Sequence, residues 1–254
     1  MKSIKIIDQD TNDSFELFDV SNDSLLRRFD GFEYAEVKLA VDDVFGVPGS
    51  TYVTSSHGRR RMSFQGDLVG ANIFANRRNL LKAMRQTGKM KLFEVKTYDD
   101  LELQFEAEIA RFTNPYTHMI HTFLFEIVAP DFRFYSQTES TETYTANQTK
   151  NTNNGGTEQT TPVFTITGPG NNIEVQNNDS GLSFNIGNLT AGQEVVVDGN
   201  TRTVTLNTNP AFSIFSGDMF NLAPGNTGIT FSVPTGSDGN TELEITYRDA
   251  YNGI

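Results

Sequence analysis

Apolar and polar residues alternate with period two along residues 101–109, LELQFEAEI. Leu101, Leu103, Phe105, Ala107 and Ile109 share one face; Glu102, Gln104, Glu106 and Glu108 share the other. Side chains on a strand point to alternate sides, so the pattern predicts a strand with one dry and one wet face. Residues 119–128, MIHTFLFEIV, are apolar on both faces, which predicts a strand inside a sheet. Further strands are expected over residues 4–7, 15–20, 32–42 and 60–70. The period changes at residues 76–88, NRRNLLKAMRQTG, where Leu80, Leu81 and Met84 fall on one helical stripe. Asn76 is placed to cap this helix and Gly88 to end it. The pattern predicts a strand-rich α+β domain with one helix over residues 1–134.

The texture then shifts. Residues 136–161, SQTESTETYTANQTKNTNNGGTEQTT, offer almost nothing apolar to bury. Residues 135–161 read as a Thr/Asn-rich linker, or as an exposed edge strand followed by a loop. From Pro162 onward, short apolar runs alternate with turn clusters: VFTIT, IEVQ, LSFNI and EVVV are separated by GPGNN, NNDSG and LTAGQ. EVVVDGNTRTVTLN turns at Asp198–Gly199–Asn200, a hairpin signal. In NLAPGNTGITF, residues 221–231, Pro224 and Gly225 make a bend. Ile229, Phe231 and Val233 alternate along the strand that leaves it. Residues 162–254 are therefore expected to form an all-β sandwich.

Composition narrows the chemistry. The 254 residues include 20 Phe and are 37% apolar, enough for two cores. Cys is absent, which removes disulfides, thiolate nucleophiles and Cys-based metal sites. The formal charge of −12 opposes nucleic-acid binding by simple electrostatics. Neither a leader-like apolar segment nor a run of membrane length stands out, so the expectation is a soluble protein without membrane insertion. The charge is unevenly spread. Residues 57–96 hold ten cations and two anions, a net of +8, which leaves −20 for the rest of the chain. Such a window can be a nucleic-acid patch or a solvated helix face. It can also be a surface that meets the acidic surface of a neighbouring copy or partner. The last reading makes Arg59, Arg60, Arg61, Arg77, Arg78, Lys82 and Arg85 candidate contact residues.

Motifs for catalysis or metal binding fail on inspection. Asp8, Asp10 and Asn12 begin like a calcium loop, but Asp13 stands where a Gly is required and Asp19 where a bidentate Glu is required. An acidic turn between strands fits better. His118 and His121 form an H-x-x-H pair, yet on a strand an i, i+3 pair points to opposite faces. TGPGNN, residues 167–172, lacks the third Gly and the helix of a phosphate cradle. A Ser-centred nucleophile elbow is missing as well. The expectation is a non-enzymatic protein with no catalytic, metal or cofactor-binding residue. Two other classes stay open: a carbohydrate-binding module, which would want exposed aromatics, and a hydrolase on a β scaffold, for which no nucleophile–base set is found.

The order of these signals resembles the distal tail protein (Dit) family of long-tailed bacteriophages. The resemblance rests on RRRMSFQGDLVG followed by NRRNLLKAMRQTG, on the exit FLFEIVAPDFRFY, on NNGGTEQTTPVFTITGPG and NLTAGQEVVVDGNTRTVTLN, and on FNLAPGNTGITF and LEITYRDAYNGI. It implies a mainly β chain: an N-terminal split-barrel-like α+β domain with one helix that forms a ring, and a C-terminal galectin-like β-sandwich. It further implies a structural protein of the virion, assembled in the host cytoplasm and sited at the distal end of the tail. The implied partners are five further copies in a hexameric ring, the tail tube protein, and the tail-tip protein. A receptor-binding protein or host cell-surface glycan is another. DNA passes through the channel of such a ring without sequence-specific binding, and Glu102, Glu106 and Glu108 are candidate channel-facing residues.

Overall fold

A computed structural model of the chain describes residues 1–18, 24–33, 35, 37–43, 50–86, 88–113 and 121–254. The expected strand ends at 19–20, His118 and Asp19 lie outside the described residues. The chain divides into two units, Met1–Gln137 with Asn252–Ile254, and Thr138–Tyr251.

The first unit is built from β1 (Ser3–Asp8), β2 (Ser14–Glu16), β3 (Ser24–Asp30), β4 (Val37–Asp43), β5 (Ser50–His57), β6 (Arg60–Leu68), α1 (Ile73–Ala83), β7 (Lys91–Lys96), β8 (Glu102–Thr113), β9 (His121–Ala129) and β10 (Phe134–Ser136). Its sheet runs β2-β1-β7-β8-β9-β6-β3, with β10 beside β8, and β4–β5 form a separate ribbon. Every pairing is antiparallel. The long strand β8 turns the sheet. Glu102–Ala107 pair with β7, the register then shifts between Ile109 and Arg111, and the rest pairs with β9. An irregularity of this kind bends a strand and raises its twist. Among the described residues the sheet does not close on itself, since β2 and β3 are free edges.

The predicted alternation holds along β8: Leu103, Phe105, Ala107 and Ile109 are buried and Glu102, Glu106 and Glu108 exposed. They face a core of phenylalanines. Phe32, Phe64, Phe93, Phe105, Phe125 and Phe134 touch in a continuous chain of rings, with Phe64–Phe125 centroids 4.7 Å apart and Phe93–Phe105 5.0 Å. Gly66 lets β3 and β9 approach β6: a Cβ there would sit 2.4 Å from the Phe123 ring and 2.6 Å from the Leu25 carbonyl.

The helix begins earlier than its sequence pattern indicated. Asn72, rather than Asn76, occupies the N-cap position, and the helix ends at Met84 instead of running to Gly88. The expected stripe of Leu80, Leu81 and Met84 is also corrected. Ile73, Leu80, Ala83 and Met84 are buried, whereas Leu81 is turned outward.

The second unit contains β11 (Ser140–Thr145), β12 (Gln148–Asn154), β13 (Val163–Thr167), β14 (Ile173–Asn177), β15 (Ser183–Ile186), β16 (Glu194–Asp198), β17 (Thr203–Leu206), β18 (Asn209–Pro210), β19 (Phe215–Gly217), β20 (Gly225–Ser232) and β21 (Glu242–Tyr247). They form two antiparallel sheets, β11-β21-β13-β16-β17-β18 and β12-β20-β14-β15-β19. Phe164, Ile166, Val195, Val197, Leu243 and Ile245 of one sheet share a core with Ile173, Val175, Phe184, Ile186, Ile229 and Phe231 of the other. This is the sandwich expected of the short-strand region, including the β16–β17 hairpin. The Thr/Asn-rich tract supplies β11 and β12, one at an edge of each sheet. Main-chain ladders hold these strands to β21 and β20, and Tyr144 is the one large side chain β11 buries. The Tyr144 and Thr152 hydroxyls meet at 2.5 Å.

Candidate functional site

The basic window divides by burial into groups with different roles. Arg60 is buried at 4% exposure. Its guanidinium donates to the main-chain carbonyls of Phe132 at 2.8 Å, Gly31 at 2.9 Å and Asn252 at 2.5 Å, and to that of Glu33. It also lies 4.5 Å over the Phe134 ring. Burial lowers its pKa to about 10, with Asp131 acting in the opposite sense, so it stays charged at neutral pH. Arg60 differs in this from an exposed contact residue: it is buried, and four of its N–H groups donate inside its own unit. Period two would have shown this. Arg60 shares the buried face of β6 with Met62, Phe64 and Leu68, whereas the arginine run drew attention to charge alone.

Lys91 is likewise internal and forms an ion pair with Asp8 at 2.8 Å, both side chains at 2% exposure or less. Burial pushes the Asp8 carboxyl up, but the Lys91 ammonium and the amides of Asp10 and Thr11 outweigh it and hold the pKa at about 2. The Asp8 turn is thus organised around the Lys91 ammonium. Among the described residues no group of three acidic, His or Cys side chains is disposed to hold a metal. His121 is buried at the start of β9, with its ring 5.4 Å from that of Phe74. Lys89 faces Asp10 at 3.5 Å, and Lys96 faces Glu102 at 2.8 Å.

The cations that remain lie on two surfaces. Arg78 and Lys82 are exposed on α1, Arg77 is half-buried beside them, and Arg85 is exposed just past the end of the helix. Phe74, at 53% exposure, and Leu81 sit on the same stripe as Arg78, spaced i, i+4 and i+7. Arg78, Lys82 and Arg85 have no ion-pair partner among the described residues. Arg61, in contrast, lies on the solvent face of the sheet, with Arg59 just before β6. Val128 is the register partner of both Arg61 and Glu108. Residues opposite one another on adjacent strands share a face, so Arg61 belongs to the same face as the acidic residues of β8. On that face Glu102 is neutralised by Lys96, and Glu106 accepts from the Gln9 amide at 2.9 Å.

The second unit holds a groove of about 820 Å³. Its rim comes from the 159–161 segment, the β14–β15 turn, the β16–β17 turn and residues 212–223; Thr227 of β20 also lines it. Sequence reasoning missed it because the residues come from five separate stretches with no motif among them.

Residues 155–251 match the family model described as "Siphovirus-type tail component, C-terminal domain". Among solved structures, the SPP1 Dit (gp 19.1) protein, described as a paradigm of the hub adsorption apparatus in phages infecting Gram-positive bacteria, aligns with a TM-score of 0.72 at 14% identity. That alignment covers 97% of this chain and 98% of the other. Two phage p2 baseplate structures in the activated conformation, with Ca and with Sr, align at 13% identity, with TM-scores of 0.48 and 0.47. Each covers 96% of this chain and 97% of theirs. No curated protein matches the chain. Residues 155–251 thus match the siphovirus-type tail component C-terminal domain, and the chain as a whole has the fold of the SPP1 Dit protein.

Proposed function

We propose that this protein is the hub of a long-tailed phage's adsorption apparatus, six copies forming a ring between the tail tube and the tail-tip proteins. The observation that carries the reading is the match of nearly the whole chain to the SPP1 Dit hub fold, with a TM-score of 0.72. The outer side of α1 supports it. Phe74 and Leu81 supply apolar area, and Arg78, Lys82 and Arg85 surround it with positive charge. The complementary surface is acidic and lies elsewhere in the same chain, which carries −20 outside residues 57–96. Charge complementarity of this kind sets register and depends on ionic strength. Native mass spectrometry of the purified chain tests the proposal. A sixfold mass is expected at low salt, with smaller species after Arg78→Glu with Arg85→Glu. A protein that stays monomeric under all conditions overturns the ring, and hexamers indifferent to both salt and the double variant overturn the role of α1.

The ring would pass DNA, with Glu106 and Glu108 toward the bore. Acidic walls do not displace counterions from phosphates, so DNA slides past them. Glu106→Lys with Glu108→Lys is expected to leave assembly intact and to slow DNA ejection from particles carrying the variant. Ejection at the wild-type rate would remove these residues from the channel.

A further inference from the structure

The groove of the second unit carries a ligand chemistry that the hub role does not need. Among the described residues of this unit, the large apolar side chains left exposed are Leu182 at 40% and Phe212 at 58%, and both line this groove. Phe212 is no loose side chain. It opens the helical turn Phe212–Ile214; its ring is 5.3 Å from Phe215, which stacks at 5.4 Å on Phe184 of the core. The turn leads into β19, where Gly217 at φ +102° brings the strand against β15; a Cβ there would meet the Ser183 carbonyl at 2.5 Å. A braced aromatic face therefore stands open to solvent.

Polar groups with unused hydrogen-bonding capacity surround it. The Thr227 hydroxyl is buried, at 1% exposure for the residue, and has no hydrogen-bond partner. A hydroxyl buried in this way costs about 1–3 kcal/mol unless something answers it. Asn221 uses its side-chain carbonyl to accept from Thr161 at 3.1 Å, which leaves its amide group available. One Asp179 oxygen accepts from the Gly228 amide at 2.9 Å, which leaves the other. Arg202 and Asp218 complete the lining. The groove thus offers acceptors, donors and an aromatic plane, within a volume of the usual ligand-cleft size of about 300–1,000 Å³.

A ligand that answers all three has hydroxyls that donate and accept at once, and an apolar C–H face. Phosphate-rich polymers fit poorly, since Arg202 is outnumbered by Asp179 and Asp218. We infer that the groove between the β14–β15 turn, the β16–β17 turn and Phe212 binds a neutral oligosaccharide segment of a cell-surface polysaccharide. One sugar ring stacks on Phe212, and its hydroxyls pair with Asp218, Asn221, Arg202 and Thr227. The inference concerns the second unit alone and stands apart from ring formation.

The test uses the full chain on an array of neutral oligosaccharides of glucose, galactose, N-acetylhexosamines and rhamnose, with titration calorimetry on whichever class is retained. Retention of at least one class is expected. Phe212→Ala should then weaken binding tenfold or more, and Phe212→Tyr should restore it. Thr227→Val, which keeps the shape and removes the hydroxyl, should weaken binding several-fold without lowering the melting temperature. Native mass is expected to be the same for all three variants, so failure of the ring and failure of this site are read separately. Retention of no sugar, or undiminished binding by both Phe212→Ala and Thr227→Val, overturns the inference. So does occupation of the groove by a tail-tip polypeptide in assembled tails.

Discussion

Arg60 shows how far one side chain can act when its donors meet main-chain carbonyls. Four carbonyls from Gly31, Glu33, Phe132 and Asn252 converge on it. Arg60→Ala leaves buried acceptors unanswered, and hydrogen bonds to a charged donor contribute about 1.5–3 kcal/mol each before losses overlap. A drop of about 3 kcal/mol or more in urea unfolding of the first unit is expected. Arg60→Lys should recover little, because an ammonium cannot reproduce the planar fork. The Asp8–Lys91 pair has a pH signature. Asp8 titrates at about 2 in the folded protein, against about 4 when unfolded. Its stabilisation is therefore complete above about pH 4 and is lost as pH falls toward 2. Asp8→Asn with Lys91→Met should flatten this part of the melting curve between pH 5 and pH 2.5. Residue roles of this kind were partly legible. Alternation sets Lys91 on the buried face of β7 with Phe93 and Val95, as it sets Arg60 with Met62, although no strand was expected over residues 91–96. The carbonyls that Arg60 binds and the carboxylate that Lys91 binds come from distant segments, which no local pattern can reveal.

At the level of elements, legibility followed hydrophobic alternation. Ile166, Val175, Phe184 and Val197 are buried in strands that their own sequence announced. The strands β11 and β12 have no such alternation, and their order comes from main-chain pairing to β21 and β20. The ends of α1 were misplaced because Asn76 looked like a cap, while the chain had already turned helical after Asn72. Tertiary burial of Ile73 outweighed that local signal. The outer stripe of α1 yields an element-scale prediction. Leu81→Ser should change protomer stability by no more than about 0.5 kcal/mol, as exposed substitutions do, whereas Phe74→Ser should cost more because its ring packs against the buried His121. Each should reduce the hexamer fraction in native mass spectra.

At the level of the whole molecule, two cores are present and their chain connectivity differs. Thr138–Tyr251 is one continuous stretch, whereas the first unit takes residues 252–254 as well as Met1–Gln137. Expressed alone, residues 138–251 are expected to unfold in a single cooperative urea transition. Residues 1–137 alone lack the Asn252 groups that answer Arg60, Ala35 and His57, and should be less stable than the same unit within the full chain. Denaturation of the two fragments, compared with the full chain, checks both statements.

The discontinuity of the first unit also sets a clock on its birth. Synthesis at about 5–20 residues per second spends on the order of ten seconds on the second unit while the older half waits. Until residue 252 clears the ribosome, the Arg60 guanidinium lacks its 2.5 Å acceptor. The later-made half can mature first, while the earlier half gains its last stabilising acceptor only when Asn252 arrives.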